Sequence, residues 1–185
     1  MIGRRLSLRE PMAMPPLRFP VAVMIERAPL TNRWVSEQWR VAAVEPDDDD
    51  QGRSACERLA DHGSVARWHC SGFAIELTRS EAEGYYLNIS SPEPKAFVMY
   101  RMEEGACGYD PELKLRAHLV TVSYNEAARL LDGGEQVDAV ALDRAILEWM
   151  RPFVVEHYRP EPRRKARRNE LYERDGSVMP PKRDR

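Results

Sequence analysis

Leu17-Arg18-Phe19-Pro20-Val21-Ala22-Val23-Met24-Ile25-Glu26-Arg27 alternates with a period of two. Leu17, Phe19, Val21, Val23 and Ile25 fall on one side, and Arg18, Ala22, Met24 and Glu26 on the other. Alternation of this kind, rich in β-branched residues, specifies a strand with one buried face. Pro20 has no N–H to give to a ladder, which puts this strand, or its start, at a sheet edge. Pro29 to Asn32 supplies a turn. Trp34 to Val44 then returns as a second strand, with Val35, Trp39, Val41 and Ala43 on one face, so the two form a hairpin.

Outward from that hairpin the pattern stays short and alternating. Pro46 to Ser54 reads as a solvated acidic loop, and Cys56 to Asp61 as one helical turn. Ala66 to Thr78 is a third strand with Phe73, Ile75 and Leu77 inward. Tyr85 to Ser90 and Lys95 to Met102 read as two strands around the turn-forming Ser91-Pro92-Glu93-Pro94. Leu115 to Val122 makes a sixth strand.

The period then changes. Ser123-Tyr124-Asn125-Glu126 fits a capping box, in which hydroxyl and carboxylate each satisfy the other residue's backbone N–H. The helix it opens ends at Gly133-Gly134, and Asp138 is in place to cap a second. Leu142, Ala145, Ile146, Trp149, Phe153 and His157 form one apolar stripe of that second helix. Pro152 removes a hydrogen bond to the Glu148 carbonyl and is expected to kink or split it. Strands first and helices last predict an α+β fold, an antiparallel sheet or small barrel of about six strands packed on two C-terminal helices. The domain is expected over residues 17–159, between a flexible tail at 1–16 and a basic, disordered tail at 160–185.

Composition narrows the function classes. The chain has 185 residues, 43% of them hydrophobic, enough for one cored domain. From Pro160 onward nine Lys/Arg face five Asp/Glu, so that segment carries +4, and a net charge of −2 leaves −6 on the rest. An acidic body argues against nucleic acid as the main ligand. Three cysteines without CxxC spacing read as reduced thiols of a cytoplasmic protein. No apolar run reaches the length of a membrane helix. Arg4-Arg5-Leu6-Ser7-Leu8-Arg9 imitates a twin-arginine export signal, but Glu10, Pro11, Pro15, Pro16, Arg18 and Pro20 interrupt the apolar stretch such a signal needs. The segment reads as a loose tail, with Met12 or Met14 as an alternative start.

Each candidate for chemistry has a plainer competitor. Cys56, His62, His69 and Cys70 are zinc-ligand types, yet His69 and Cys70 in one strand point to opposite faces. Asp47, Asp49, Gln51 and Gly52 imitate the start of a calcium loop, but Arg58 stands where its bidentate Glu belongs. Trp34, Trp39, Trp68, Tyr85 and Tyr100 are stacking residues without the basic pattern of an RNA-binding sheet. Nucleophile-elbow, phosphate-loop, dinucleotide and zinc-protease motifs are absent from the sequence. No catalytic, metal or cofactor residue is therefore assigned. The sharpest charge feature is Arg163, Arg164, Lys165, Arg167 and Arg168, whose plainer reading is a solubilising tail and whose functional reading is a docking segment for an acidic protein partner, with nucleic acid a further alternative.

Three segments carry a family likeness: Ser123-Tyr124-Asn125-Glu126-Ala127-Ala128-Arg129, Asp132-Gly133-Gly134-Glu135-Gln136-Val137-Asp138, and Glu156-His157-Tyr158-Arg159-Pro160-Glu161-Pro162. With Trp34 to Pro46 and Ala96 to Met102, they resemble a bacterial family of unknown function. Genes of that family typically lie beside those of molybdenum-dependent formate dehydrogenases, and the likeness runs from about Leu17 to Arg168. It implies a non-enzymatic accessory or assembly protein that binds a formate dehydrogenase subunit. Two rival readings stand beside it: a small enzyme with a scattered site, and a nucleic-acid-binding regulator that uses the basic tail.

Overall fold

The structure is a computed structural model that describes residues 17–31, 34–48, 55–59, 61, 63–103 and 110–160. Seven strands and three helices follow one another as β1 (Leu17–Pro29), β2 (Glu37–Pro46), β3 (Cys56–Arg58), β4 (Ala66–Leu77), α1 (Ala82–Ile89), β5 (Lys95–Met102), β6 (Leu115–Thr121), α2 (Tyr124–Asp132), β7 (Gln136–Ala141) and α3 (Arg144–His157). A 3-10 turn at Arg79–Glu81 leads into α1. The strands form two antiparallel sheets, ordered β2-β1-β4-β3 and β6-β5-β7. The fold is α+β, and among the described residues the sheets do not close into a barrel.

The alternation of β1 buries Val21, Val23 and Ile25 as expected. From Val21 onward β1 is flanked by both β2 and β4, but its start, Leu17 to Pro20, pairs with β4 alone and is the edge portion expected. Pro20 is tolerated because it lies just past the last residue paired with β2, where its carbonyl accepts from the Asp47 amide. Two bulges keep the apolar residues inward. One sets Val21 opposite Phe73 but Val23 opposite Cys70, with an extra residue in β4 beside Gly72 at φ 89°. That turns Ala66, Trp68 and Cys70, and then Ile75 and Leu77, to the same core. The other moves Val44 inward in place of Ala43, which the unbroken alternation had placed there.

Four further expectations need correction. Tyr85 to Ser90 is helical: α1 buries Ala82, Gly84, Tyr85 and Asn88 along one side, and tertiary contacts outweigh the strand preference of the tyrosines. Helices therefore do not all follow the strands. Cys56 to Asp61 begins as a strand, not a helical turn. Asp138 lies in β7, a strand concealed behind the glycine pair, and the cap of α3 is Asp143, whose carboxylate accepts from the Ala145 amide at 2.7 Å. Pro152 sits within α3 without splitting it, and the buried stripe is Ile146, Met150, Phe153 and Val154, with Trp149 half-buried against Phe19.

Asp138 instead joins the sheets. Its carboxylate accepts the Val41 amide at 2.9 Å, binding the edge strand β2 of one sheet to the edge strand β7 of the other. Both sheets and α3 then feed one continuous core that includes Trp68, Tyr85, Leu113, Leu115, Ile146 and Met150.

Candidate functional site

The strand ends that bound the connections β1–β2, β3–β4 and β5–β6 lie together, as the ion pairs of Glu112 with Arg27 and Arg58 and of Lys114 with Glu37 show. Beneath them lies a cluster that links the sheets. The rings of Trp39 and Trp68 stand 5.2 Å apart. The Arg27 guanidinium lies over both, 5.7 and 5.6 Å from their centroids, and Arg58 lies 5.6 Å over Trp68. Such cation–ring contacts hold guanidiniums in place at little entropic cost once the rings are packed.

Carboxylates complete the cluster. Trp68 Nε1 donates to Asp110 at 2.7 Å. Glu112 pairs with Arg58 at 3.0 Å and Arg27 at 3.3 Å. Glu37 accepts from Lys114 at 2.8 Å and from the Trp39 indole at 3.2 Å. The Lys114 and Trp39 hydrogen bonds hold the Glu37 carboxyl below its usual range, and the Trp68 indole with the Glu112 amide does the same for Asp110. Both stay ionised at neutral pH, so the cluster is a braced platform with its charges matched.

Trp34 is 85% exposed, and Val35, Leu30, Leu59 and Met102 are exposed beside the same three connections. Exposed aliphatic residues at the ends of strands that carry arginine and tryptophan are of the kind found on protein-binding surfaces. Sequence reasoning missed this grouping: Trp34 and Val35 were taken into β2, and nothing in a single sequence says that three distant connections meet.

On the outer face of the larger sheet a second charged group is built across three strands. Glu26 in β1, only 4% exposed, faces Arg40 of β2 and Arg67 of β4. Arg40 Nη2 and Arg67 Nε each reach its carboxylate at 2.6 Å. Burial alone would raise the Glu26 carboxyl, but the two arginine hydrogen bonds outweigh it and hold it low.

The residues of the family-like motif serve the helices. Ser123 Oγ caps α2 by accepting the Glu126 amide at 3.1 Å, and its own hydrogen goes to Glu81 at 2.7 Å. Arg129 donates to the other Glu81 oxygen at 2.7 Å. The reciprocal half of the box is relayed: the Ser123 amide donates to the Thr121 hydroxyl, which donates to Glu126. Asn88, fully buried, donates to the Lys95 and Val122 carbonyls and accepts the Lys95 amide. At the end of α3 the ring of His157 meets Phe153 and that of Tyr158 meets Tyr86.

The sequence candidates are dispersed. Arg163, Arg164, Lys165, Arg167 and Arg168 lie outside the described residues, as do His62, Asp49, Gln51 and Gly52. Cys70 faces the core and His69 the other side of β4. The cysteines are not both thiols: Cys56 and Cys70 form a disulfide. They are register partners of β3 and β4, a pairing concealed while Cys56 was read as helical. Among the described residues no group of three His, Cys, Asp or Glu is placed to hold a metal, and no helix is long and apolar enough to cross a membrane. Trp68 and Tyr85 are wholly buried and unavailable for base stacking.

Fold and site together define a two-sheet α+β protein whose sheets are linked by a braced cluster of tryptophans, arginines and carboxylates. The chain belongs to the family described as "Protein of unknown function (DUF3305)", whose model matches residues 20–167. No curated protein and no solved structure matches it.

Proposed function

We propose that this protein is a non-enzymatic, cytoplasmic accessory or assembly protein of a molybdenum-dependent formate dehydrogenase, and that it acts by binding a subunit of that enzyme. The binding role is supported by Leu30, Val35, Leu59 and Met102, exposed at the strand ends around the Trp39–Trp68–Arg27 cluster, which we read as one apolar rim. The choice of partner rests on the resemblance alone, and the basic residues Arg163, Arg164, Lys165, Arg167 and Arg168 would steer the encounter with an acidic surface.

The test is capture of the full chain from cells grown on formate, followed by mass spectrometry. A dehydrogenase subunit should be recovered. Recovery should fall when the five basic residues are changed to Glu, and fall most at low salt, where steering is strongest. Capture that yields no dehydrogenase component would overturn the assignment.

A further inference from the structure

We infer that Cys56 and Cys70 are a reversible thiol–disulfide site through which a cellular dithiol releases the edge strand β3. The pair closes across two neighbouring strands, with Cys56 opposite Cys70, Glu57 opposite His69 and Arg58 opposite Trp68. The Ser71 amide bonds to the Ala55 carbonyl and the Leu59 amide to the Arg67 carbonyl. By the alternation of an antiparallel ladder, Cys56 and Cys70 occupy a position where the backbones exchange no hydrogen bond. The sulfur bridge therefore joins the strands where the ladder does not.

β3 depends on that link more than any other strand. It has three residues, and the order β2-β1-β4-β3 leaves it a neighbour on one side only. What hangs on it is the braced platform: Arg58 at its end lies over Trp68 and pairs with Asp61 and Glu112. Leu59 of the apolar rim follows directly. Opening the bridge leaves Cys70 in the core and frees Cys56, Arg58 and Leu59 to move away from β4.

The two sulfurs differ in access, since Cys70 is buried and Cys56 half-buried. A thiolate of the dithiol attacks the Cys56 sulfur, and the Cys56–Cys70 bond breaks. Cys70 leaves as thiolate and takes up a proton, because apolar surroundings disfavour its charge. The reductant's second thiol then attacks its own sulfur in the mixed disulfide, departs as an oxidised disulfide, and returns Cys56 to the thiol form. Two electrons and two protons have passed to the protein, and the reverse exchange with an oxidised dithiol restores the bridge. In a reducing compartment a disulfide of this kind is a transient, regulatory bond. The inference stands on the register and position of the pair, and is independent of the proposed partner.

The experiment uses the full-length chain in dithiothreitol redox buffers of graded ratio, read by differential alkylation and by amide hydrogen exchange. Under oxidising ratios a Cys56–Cys70 linked peptide should be recovered, and both residues should accept iodoacetamide only after reduction. Exchange at residues 55–59 should quicken about tenfold or more on reduction while β5 stays protected. Cys56→Ser should show the fast pattern at every ratio; should that variant not fold, the two states of the unaltered chain decide alone. Alkylation of Cys56 and Cys70 under oxidising ratios would overturn the inference, and so would equal exchange at 55–59 in both states.

Discussion

A Cβ on Gly84 would stand 2.2 Å from the Ser123 hydroxyl oxygen and 3.2 Å from the Asn125 amide nitrogen. α1 can rest against the start of α2 only because position 84 lacks a side chain. Gly84→Ala should therefore lower stability by about 1–3 kcal/mol through overpacking, although alanine is the better helix former. Chemical denaturation checks this, and a variant more stable than the parent would mean that the helices are not in contact there. Glu26 gives a second residue-level expectation. Its folded pKa lies below the ordinary value of 4.5, so its contribution is complete above that value and is lost as pH falls through the folded one. Glu37 and Asp110 act in the same direction. The denaturation midpoint should decline as pH drops below about 5, and Glu26→Gln should cost about 2 kcal/mol at pH 7 while making that decline shallower. Equal slopes for the two proteins would contradict the arginine–carboxylate account. The cap at Ser123 could be read from its neighbours, but its carboxylate partner could not: Glu81 is 42 residues away.

Elements that alternate strongly were legible in the chain. β1, β4, β5 and β6 appear close to where their patterns place them. Those that depend on distant contacts were not. α1 carries Gly84, Tyr85, Tyr86 and Ile89, poor helix formers, and is held by the buried Asn88 and the close approach at Gly84. β3 is too short to show a period, and β7 is hidden between two helix signals. The bulges opposite Ala22 and beside Val41 reverse which residues face inward, and a single sequence carries no mark of them beyond Gly72. The Cys56–Cys70 bridge closes a loop with a sequence separation of 14. Loop-closure entropy then predicts that reduction costs about 3 kcal/mol or somewhat less of unfolding free energy. The midpoint in urea with and without reductant measures this, and coincident curves would show that the bridge constrains nothing.

At the scale of the molecule, polar contacts among the described residues join the two sheets over a shared core. Asp138 on the Val41 amide and Lys114 on Glu37 are two of them. Asp138→Ala strands a backbone donor between the edges and should cost about 1–3 kcal/mol, read from the thermal midpoint. A loss within error would mean that the core alone holds the sheets. Only the charged part of the proposed interface, Arg163 to Arg168, was visible in the sequence, since a run of like charge needs no folding to be seen. The apolar rim becomes a surface only when β1–β2, β3–β4 and β5–β6 are brought to one end, which is a property of topology. The most direct test is the affinity of the purified full-length chain for the isolated large subunit of a formate dehydrogenase from the same cells. Val35→Ser combined with Leu59→Ser should weaken binding by about tenfold or more, because the two serines forfeit apolar area that docking would bury. The thermal midpoint of that double variant should be nearly unchanged. Undiminished affinity would show that the rim is not the docking surface, and no measurable binding by the unaltered chain would contradict the accessory role itself.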